Sequence, residues 1–359
     1  MIVVIGAGVV GLASALAIAR RGRQVCVIER RARPGLETST HNSGVIHAGL
    51  YYPPGTLKAR LCVEGRDRLY RFCVEAHVPH VKCGKLVVAQ EGETGALERV
   101  RAAAAANGVA VTHVDQAFVN AREPHVAAAE ALWSPETGWL EAEAFVRALE
   151  ARLVGHDGVV LNGTRVVGIE TRADGAPTIV TPHERIEADA IVNAAGLHAD
   201  EVSRLAGGED FRIFPCRGEY AELAPKARHL LRGLVYPVPP ESGHGLGVHL
   251  TRTLGGAVWI GPTIRFQDRK QDYESDRLPL EAFLEPTRAL LPDVTLDDLR
   301  LAGSGIRPKL HPATERFADF LIRRDRNTPD LIHAAGIDSP GLTASLAIGE
   351  RVAEIASNG

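Results

Sequence analysis

The chain has 359 residues, 45% of them hydrophobic and 24% charged, which excludes wholesale disorder and makes two domains the natural expectation. Lys+Arg 41 against Asp+Glu 44 leaves a net charge of -3, too balanced for a nucleic-acid-binding surface as the main function. Cys26, Cys62, Cys73, Cys83 and Cys216 form no CxxC pair, so no metal cluster or disulfide framework is expected, and they read as buried thiols of a reducing compartment.

Met1 to Ala19 carries no charged side chain, yet a secretory signal would place its positive charge before the apolar run, and Arg20 and Arg21 come after it. Glycines at 6, 8 and 11 also argue against a spanning helix, so the expectation is a cytoplasmic, uncleaved protein with no integral membrane segment, peripheral association with a membrane face remaining open. Ile2-Val3-Val4-Ile5 is a β-branched run suited to a central parallel strand. Gly6-Ala7-Gly8-Val9-Val10-Gly11 follows, then Leu12, Leu16 and Ala19 at helical spacing, and a second strand from Gln24 to Ile28 that ends at Glu29. Strand, GxGxxG, helix, strand and acidic residue together form a dinucleotide-binding βαβ unit. Gly6 permits the turn, Gly8 lets backbone approach a pyrophosphate, and Gly11 lets helix and strand pack closely. The helix start at Val9 and Val10 offers N–H groups to phosphate, and Glu29 can accept from a ribose. The motif alone does not choose between NAD and FAD.

Residues 36 to 60 read as a functional loop rich in Ser, Thr, Gly and Tyr. Helices are expected from Thr56 to Val74, from Thr94 to Ala106 as an exposed Ala-rich segment, and from Glu141 to Leu153. Lys85 to Ala89 reads as a strand, as do Val159–Leu161, Val166–Thr171, Thr178–Thr181 and Ala190–Val192, with a turn at Asp174-Gly175. From Phe211 to Gly261 the pattern becomes antiparallel, with a hairpin across Gly255-Gly256. Asp330 to Ala335 reads as a strand and Leu342 to Ile355 as a helix. The fold expected is α/β (α+β): a Rossmann-like, discontinuous dinucleotide-binding domain (1-80, 140-208 and 300-359) interleaved with an antiparallel-sheet substrate domain (81-139 and 209-299).

Several blocks carry a resemblance. They are Thr40-His41-Asn42-Ser43-Gly44-Val45-Ile46-His47-Ala48-Gly49-Leu50-Tyr51-Tyr52, Leu57 to Cys62, Arg217-Gly218-Glu219-Tyr220, and Val235 to Pro239. Gly247 to Arg252, Gly305-Ile306-Arg307-Pro308 and Ser339 to Ala347 complete the set. With these, the chain resembles the D-amino-acid-oxidase-like FAD oxidoreductases, and within them the L-2-hydroxyglutarate oxidase/dehydrogenase family. The resemblance implies FAD as cofactor. It places Thr40, His41, Asn42, Ser43, Gly44 and Val45 along the pyrophosphate and ribityl chain, and Ala195 and Gly196 beside the adenosine side. Arg30, Val166, Gly305 and Arg307 would be further cofactor contacts. Pro340, Gly341, Leu342 and Thr343 would open the final helix toward the flavin N1/C2=O edge, where negative charge develops.

Oxidising an alcohol at C2 sends a hydride to flavin N5 while a base takes the hydroxyl proton, and a base near neutrality favours histidine. His47 stands on the expected flavin loop and His249 on the strand expected to cover it. A 2-hydroxy acid also carries a carboxylate, for which the planar fork of Arg307 is suited, with Pro308 biasing it toward an extended backbone at a strand end. A dicarboxylate needs a second anchor: Arg217, Arg252 and Lys309 are candidates, with Tyr52, Tyr220 and Tyr236 as donors, and no metal is expected. The function expected is FAD-dependent oxidation of a small anionic 2-hydroxy acid such as L-2-hydroxyglutarate, with oxygen or a quinone as electron acceptor. Oxidation of an amine, glycine, sarcosine or a D-amino acid, is the alternative on the same fold.

Overall fold

The computed structural model describes residues 1–173, 175–239 and 247–357. Its first layer is a six-stranded sheet in the order Leu321–Arg324, Leu331–Ala335, Ala190–Asn193, Ile2–Ile5, Val25–Ile28, Val159–Leu161. All neighbours run parallel except the Leu321–Arg324 edge. The apolar runs earn these places because both faces are covered: Ile2 to Ile5 and Val25 to Ile28 are buried throughout. Helices Val9–Ala19 and Gly341–Ser357 pack together on one face, and small residues allow it, a Cβ on Gly349 meeting the Ala13 carbonyl oxygen at 2.5 Å. The strand carboxyl ends lead into Gly6, Glu29, Ala194 and Gly336, so one edge of the sheet collects the loops a dinucleotide would meet.

The second layer is a nine-stranded, largely antiparallel sheet. Its order is Arg265–Phe266, Phe214–Leu223, Val258–Gly261, His249–Arg252, Leu234–Pro237, Lys85–Ala89, Glu130–Ser134, Thr112–Val114, with Leu299–Lys309 on the free side of Phe214–Leu223. Alternation divides its faces. Leu86, Val88, Val235, Leu250 and Ile260 enter a core with Phe283, Leu290 and Leu291, while Lys85, Val87, Tyr236, His249 and Thr251 turn the other way. Two three-stranded sheets complete the fold, Gly168–Thr171 with Pro177–Val180 and Arg185–Glu187, and Val45–Ile46 with Gly138–Leu140 and His80–Val81. Among the described residues no helix is long and apolar enough to cross a membrane.

The expected fold class, a Rossmann-like sheet joined to an antiparallel sheet, is the observed one. Three local readings change. The boundary expected at residue 300 falls inside a strand, because Leu299–Lys309 pairs along Phe214–Leu223 before the chain rejoins the parallel sheet at Leu321. Arg307 therefore sits within a strand rather than beyond its end, opposite Cys216. Val166 lies in irregular chain ahead of the strand that begins at Gly168, and Asp174 of the expected turn is outside the described residues. The five cysteines are free, four buried and Cys83 half-buried.

Candidate active site

A cleft of about 940 Å³ lies between the two layers. On the parallel-sheet side its wall is mostly backbone. Gly6 takes φ +105, open to glycine, and a Cβ there would sit 2.5 Å from the Ala194 carbonyl oxygen. A Cβ on Gly11 would collide with the Gly6 carbonyl oxygen, so the helix can approach its strand only without one. Gly8, Val9 and Val10 line the cleft; no side chain of the cap residue closes the helix start, and the Val9 N–H donates to Ser39 Oγ at 3.0 Å. Glu29 reaches the same place, Oε2 accepting from the Ala7 N–H at 2.9 Å and Oε1 from the Arg31 N–H at 2.8 Å. Two bonds leave a carboxylate lone pairs for a ribose. Arg30, Val166, Ala195, Gly196 and Gly305 also line this side. A cradle too tight for side chains, an open helix start and an acidic residue beyond the second strand fit the adenosine and pyrophosphate of FAD.

The loop after residue 36 differs in detail from expectation. His41, Asn42, Ser43 and Val45 line the cleft, but several polar side chains are consumed in holding the loop. Thr40 Oγ1 donates to the Gly35 carbonyl at 2.7 Å; Asn42 Nδ2 donates to the Ser39 carbonyl at 2.8 Å, while its Oδ1 accepts from the Gly44 N–H at 2.9 Å. Gly44 itself lies against Leu140 and Trp139, and with Thr40 and Gly11 stays behind the cleft surface. Pro340, Gly341 and Leu342 open helix Gly341–Ser357 into the cleft, whereas Thr343 points back, its Oγ1 accepting from the His47 N–H at 3.0 Å.

His41, His47, His198, His249 and His311 line the cleft, and the two expected as bases, His47 and His249, are among them. His47 Nε2 lies 3.4 Å from Ser339 Oγ, which lies 3.1 Å from Tyr52 Oη. Burial first, and the nearby Lys85 second, pull His47 down to about 3. His249 stacks on Tyr236 at 3.7 Å between centroids, and Nδ1 is 3.0 Å from the Gly247 carbonyl. A carbonyl only accepts, so Nδ1 carries the hydrogen and Nε2 presents a lone pair. Burial holds His249 well below its ordinary value, with Lys85, His47 and Arg307 pushing the same way. Both rings are neutral with a lone pair to offer, but both stand below the near-neutral value expected of the base, because burial disfavours the charged imidazolium.

The expected cations separate. Arg307 lines the cleft with only loose contacts, Nη1 lying 3.4 Å from the Thr263 carbonyl and 4.0 Å from Cys216 Sγ. Lys309 lines it too, but its ammonium is 3.0 Å from Asp338, whose other oxygen is 2.6 Å from Lys58. Arg217 and Arg252 are not in the cleft. Arg217 is 1% exposed and bound to Glu219 at 2.8 Å, a partner two residues along its own strand. Arg252 donates to the Arg228 and Leu231 carbonyls at 2.6 and 2.7 Å. Tyr52, Tyr220 and Tyr236 are all cleft residues.

Sequence reading missed the cleft residues Lys58, Tyr51, Asp338 and Ser339 and the buried Lys85 on the same sheet face as Tyr236, and took the Ala-rich helix as merely exposed. Helix Thr94–Ala106 instead buries Leu97, Val100 and Ala104 and lends Ala96, Arg99 and Ala103 to the cleft mouth. A lysine opening an otherwise apolar five-residue strand was the signal available for Lys85.

Known proteins give the same reading of the chain. The FAD dependent oxidoreductase family matches residues 1–355. The L-2-hydroxyglutarate dehydrogenase, mitochondrial, of Arabidopsis thaliana is 37% identical over 400 residues, spanning 98% of this chain and 82% of the relative. The L-2-hydroxyglutarate dehydrogenase of Indibacter alkaliphilus is 31% identical, spanning 98% of both. Among solved structures, the FAD-bound L-alpha-glycerophosphate oxidase of Mycoplasma pneumoniae superposes with a TM-score of 0.90 at 25% identity, covering 99% of this chain and 94% of that one.

Proposed function

The chain belongs to the FAD dependent oxidoreductase family, and from that premise we propose that it oxidises a small anionic 2-hydroxy acid, L-2-hydroxyglutarate first among them. The observation that carries the proposal is one cleft holding, opposite the cofactor cradle, two neutral imidazoles and a loosely held arginine. In it the parallel-sheet layer holds FAD and the large sheet receives the acid.

Bound FAD supplies the two-electron acceptor for the hydride leaving C2. The protein's own residues bind the acid, orient it and remove its hydroxyl proton. Arg307 receives the C1 carboxylate, its planar fork suited to a bidentate pair. His47 takes the hydroxyl proton. Support for that choice is its tie to the start of the final helix through Thr343, which holds it against the cofactor side independently of the large sheet. His249, on the sheet, offers Nε2 as a second acceptor that steers the hydroxyl. Tyr220 and Tyr236, buried on the sheet face, close the acid off from water.

Reoxidation by oxygen or by a quinone is part of the proposal, as is the cytoplasmic location expected from the sequence, although some relatives are named mitochondrial. Anaerobic addition of L-2-hydroxyglutarate to the yellow protein is expected to bleach its flavin. Hydrogen peroxide on admitting air would identify oxygen as the acceptor. Bleaching by glycine, sarcosine or a D-amino acid and by no 2-hydroxy acid would replace the proposal with amine oxidation.

A further inference from the structure

Of the buried cations on the large sheet that the proposed chemistry leaves unused, Lys85 stands without a counter-charge among the described residues. Lys85 is 1% exposed, and alternation puts it on the same face as Tyr236 and His249, both of which line the cleft. Among the described residues its Nζ has no hydrogen-bond acceptor and no ion-pair partner. It lies instead 4.6 Å from the ring of Tyr51 and 4.3 Å from the ring of Tyr236, a cation–π setting. The hydroxyls of these two tyrosines are likewise buried without a partner among the described residues. Three groups able to donate therefore gather beside one stretch of cleft wall, with the Thr251 hydroxyl, also without a partner by distance, next to Tyr236, and no carboxylate among the described residues pairs with the amine.

Other buried cations are matched: Arg217 by Glu219, and Lys58 and Lys309 by Asp338. A buried charge without a counter-charge is costly, and the same is true of orphaned hydroxyl groups. The need is for an acceptor with several lone pairs and a negative charge, which describes a carboxylate. Arg307 already provides for one. His249 feels both Lys85 and Arg307, so it stands near each cation.

We infer that Lys85, with the Tyr51 and Tyr236 hydroxyls, receives the distal carboxylate of the substrate and so selects a dicarboxylic over a monocarboxylic 2-hydroxy acid. The inference rests on the 2-hydroxy acid reading above and adds its specificity. Burial pulls the lone amine down to about 7, so above that pH the arriving carboxylate is accompanied by a proton drawn from solvent, converting the amine to ammonium.

The test is calorimetric titration of the flavin-loaded protein at pH 8 with glutarate and with butyrate, in two buffers of different ionisation enthalpy. Wild type is expected to bind glutarate about 100-fold tighter than butyrate, with proton uptake for glutarate alone. Lys85→Met is expected to bring glutarate down to the butyrate level and abolish the uptake, while melting no lower than wild type, since it removes a buried amine that has no hydrogen-bond partner among the described residues. Glutarate binding by Lys85→Met that matches wild type in affinity and uptake would overturn the inference, as would a wild type that takes up no proton. A lowered Tm with discrimination intact would make Lys85 structural and overturn it equally. Should Lys85→Met fail to fold, the wild-type uptake decides. Flavin reduction by L-2-hydroxyglutarate is scored separately: its absence overturns the substrate reading, while the glutarate titration still passes or fails on Lys85.

Discussion

The two walls of the cleft are built on different principles. The cofactor wall is made of backbone, where Gly6 and Gly11 matter for the side chains they lack and each loop follows its own strand. The substrate wall is made of side chains from strands far apart in sequence, Tyr236, His249 and Arg307 among them, with Lys85 buried on the same sheet face. Local geometry leaves a local pattern, so the first wall is written as GxGxxG and an acidic residue. On the second, what a residue does depends on its partner. Arg217, Arg252 and Arg307 read alike as candidate anchors, yet one neutralises Glu219, one caps carbonyls and one faces the cleft.

This contrast can be broken most strongly at His47, which belongs to the cofactor side. His47→Asn is expected to slow anaerobic flavin reduction by about 10²–10⁴-fold with FAD retained, whereas His249→Asn should cost less. Equal losses would erase the distinction drawn between the rings, and loss of flavin from His47→Asn would reassign it to cofactor binding.

The arginines sharpen it next. Arg217→Met strands Glu219 in the interior beside only the more distant Arg277, at 3.7 Å. Denaturant unfolding should show a loss of about 3–5 kcal/mol with KM unchanged; a stable variant with raised KM would return Arg217 to the site. Arg307→Lys should do the reverse, raising KM on the order of 10–100-fold at unchanged stability, because a point charge replaces a fork. Unchanged kinetics would remove Arg307 from substrate binding.

The smallest expected effect is a pH dependence. Around Lys85, His47 is pulled down to about 3 and His249 well below its ordinary value, the Tyr51 and Tyr236 hydroxyls are raised, and Cys62 is pushed up to about 12. These groups titrate outside the neutral range and leave it to the amine, at about 7. Lysine is charged below its pKa, so kcat/KM for a dicarboxylic acid should fall as pH rises through about 7, toward a tenfold loss per unit. A monocarboxylic acid should show no such limb. The same depressed pKa costs stability in full below about 7 and progressively less toward 10.5, so the gain in Tm from Lys85→Met should be largest at low pH.

How far the sequence reaches follows the same division. The parallel sheet and the final helix follow from apolar runs, glycine spacing and the Ser339–Ala347 block, whereas the tie of His47 to that helix through Thr343 came only from the structure. The strand Leu299–Lys309 escaped because Gly303, Gly305 and Pro308 break the usual strand pattern, and its pairing with Phe214–Leu223 spans a long loop of sequence. Asn42 read as a ligand amide but satisfies its own loop, a choice set by backbone geometry that residue type does not encode. Lys85 escaped because its significance is the absence of a partner, a property only packing reveals.

The central claim, that this cleft oxidises a 2-hydroxy acid, is tested most directly by anaerobic flavin absorbance during titration with L-2-hydroxyglutarate beside glycine, sarcosine and D-amino acids. The account expects stoichiometric bleaching by L-2-hydroxyglutarate and none by the amines. A flavin that stays oxidised with every 2-hydroxy acid, yet bleaches with an amine, would contradict it.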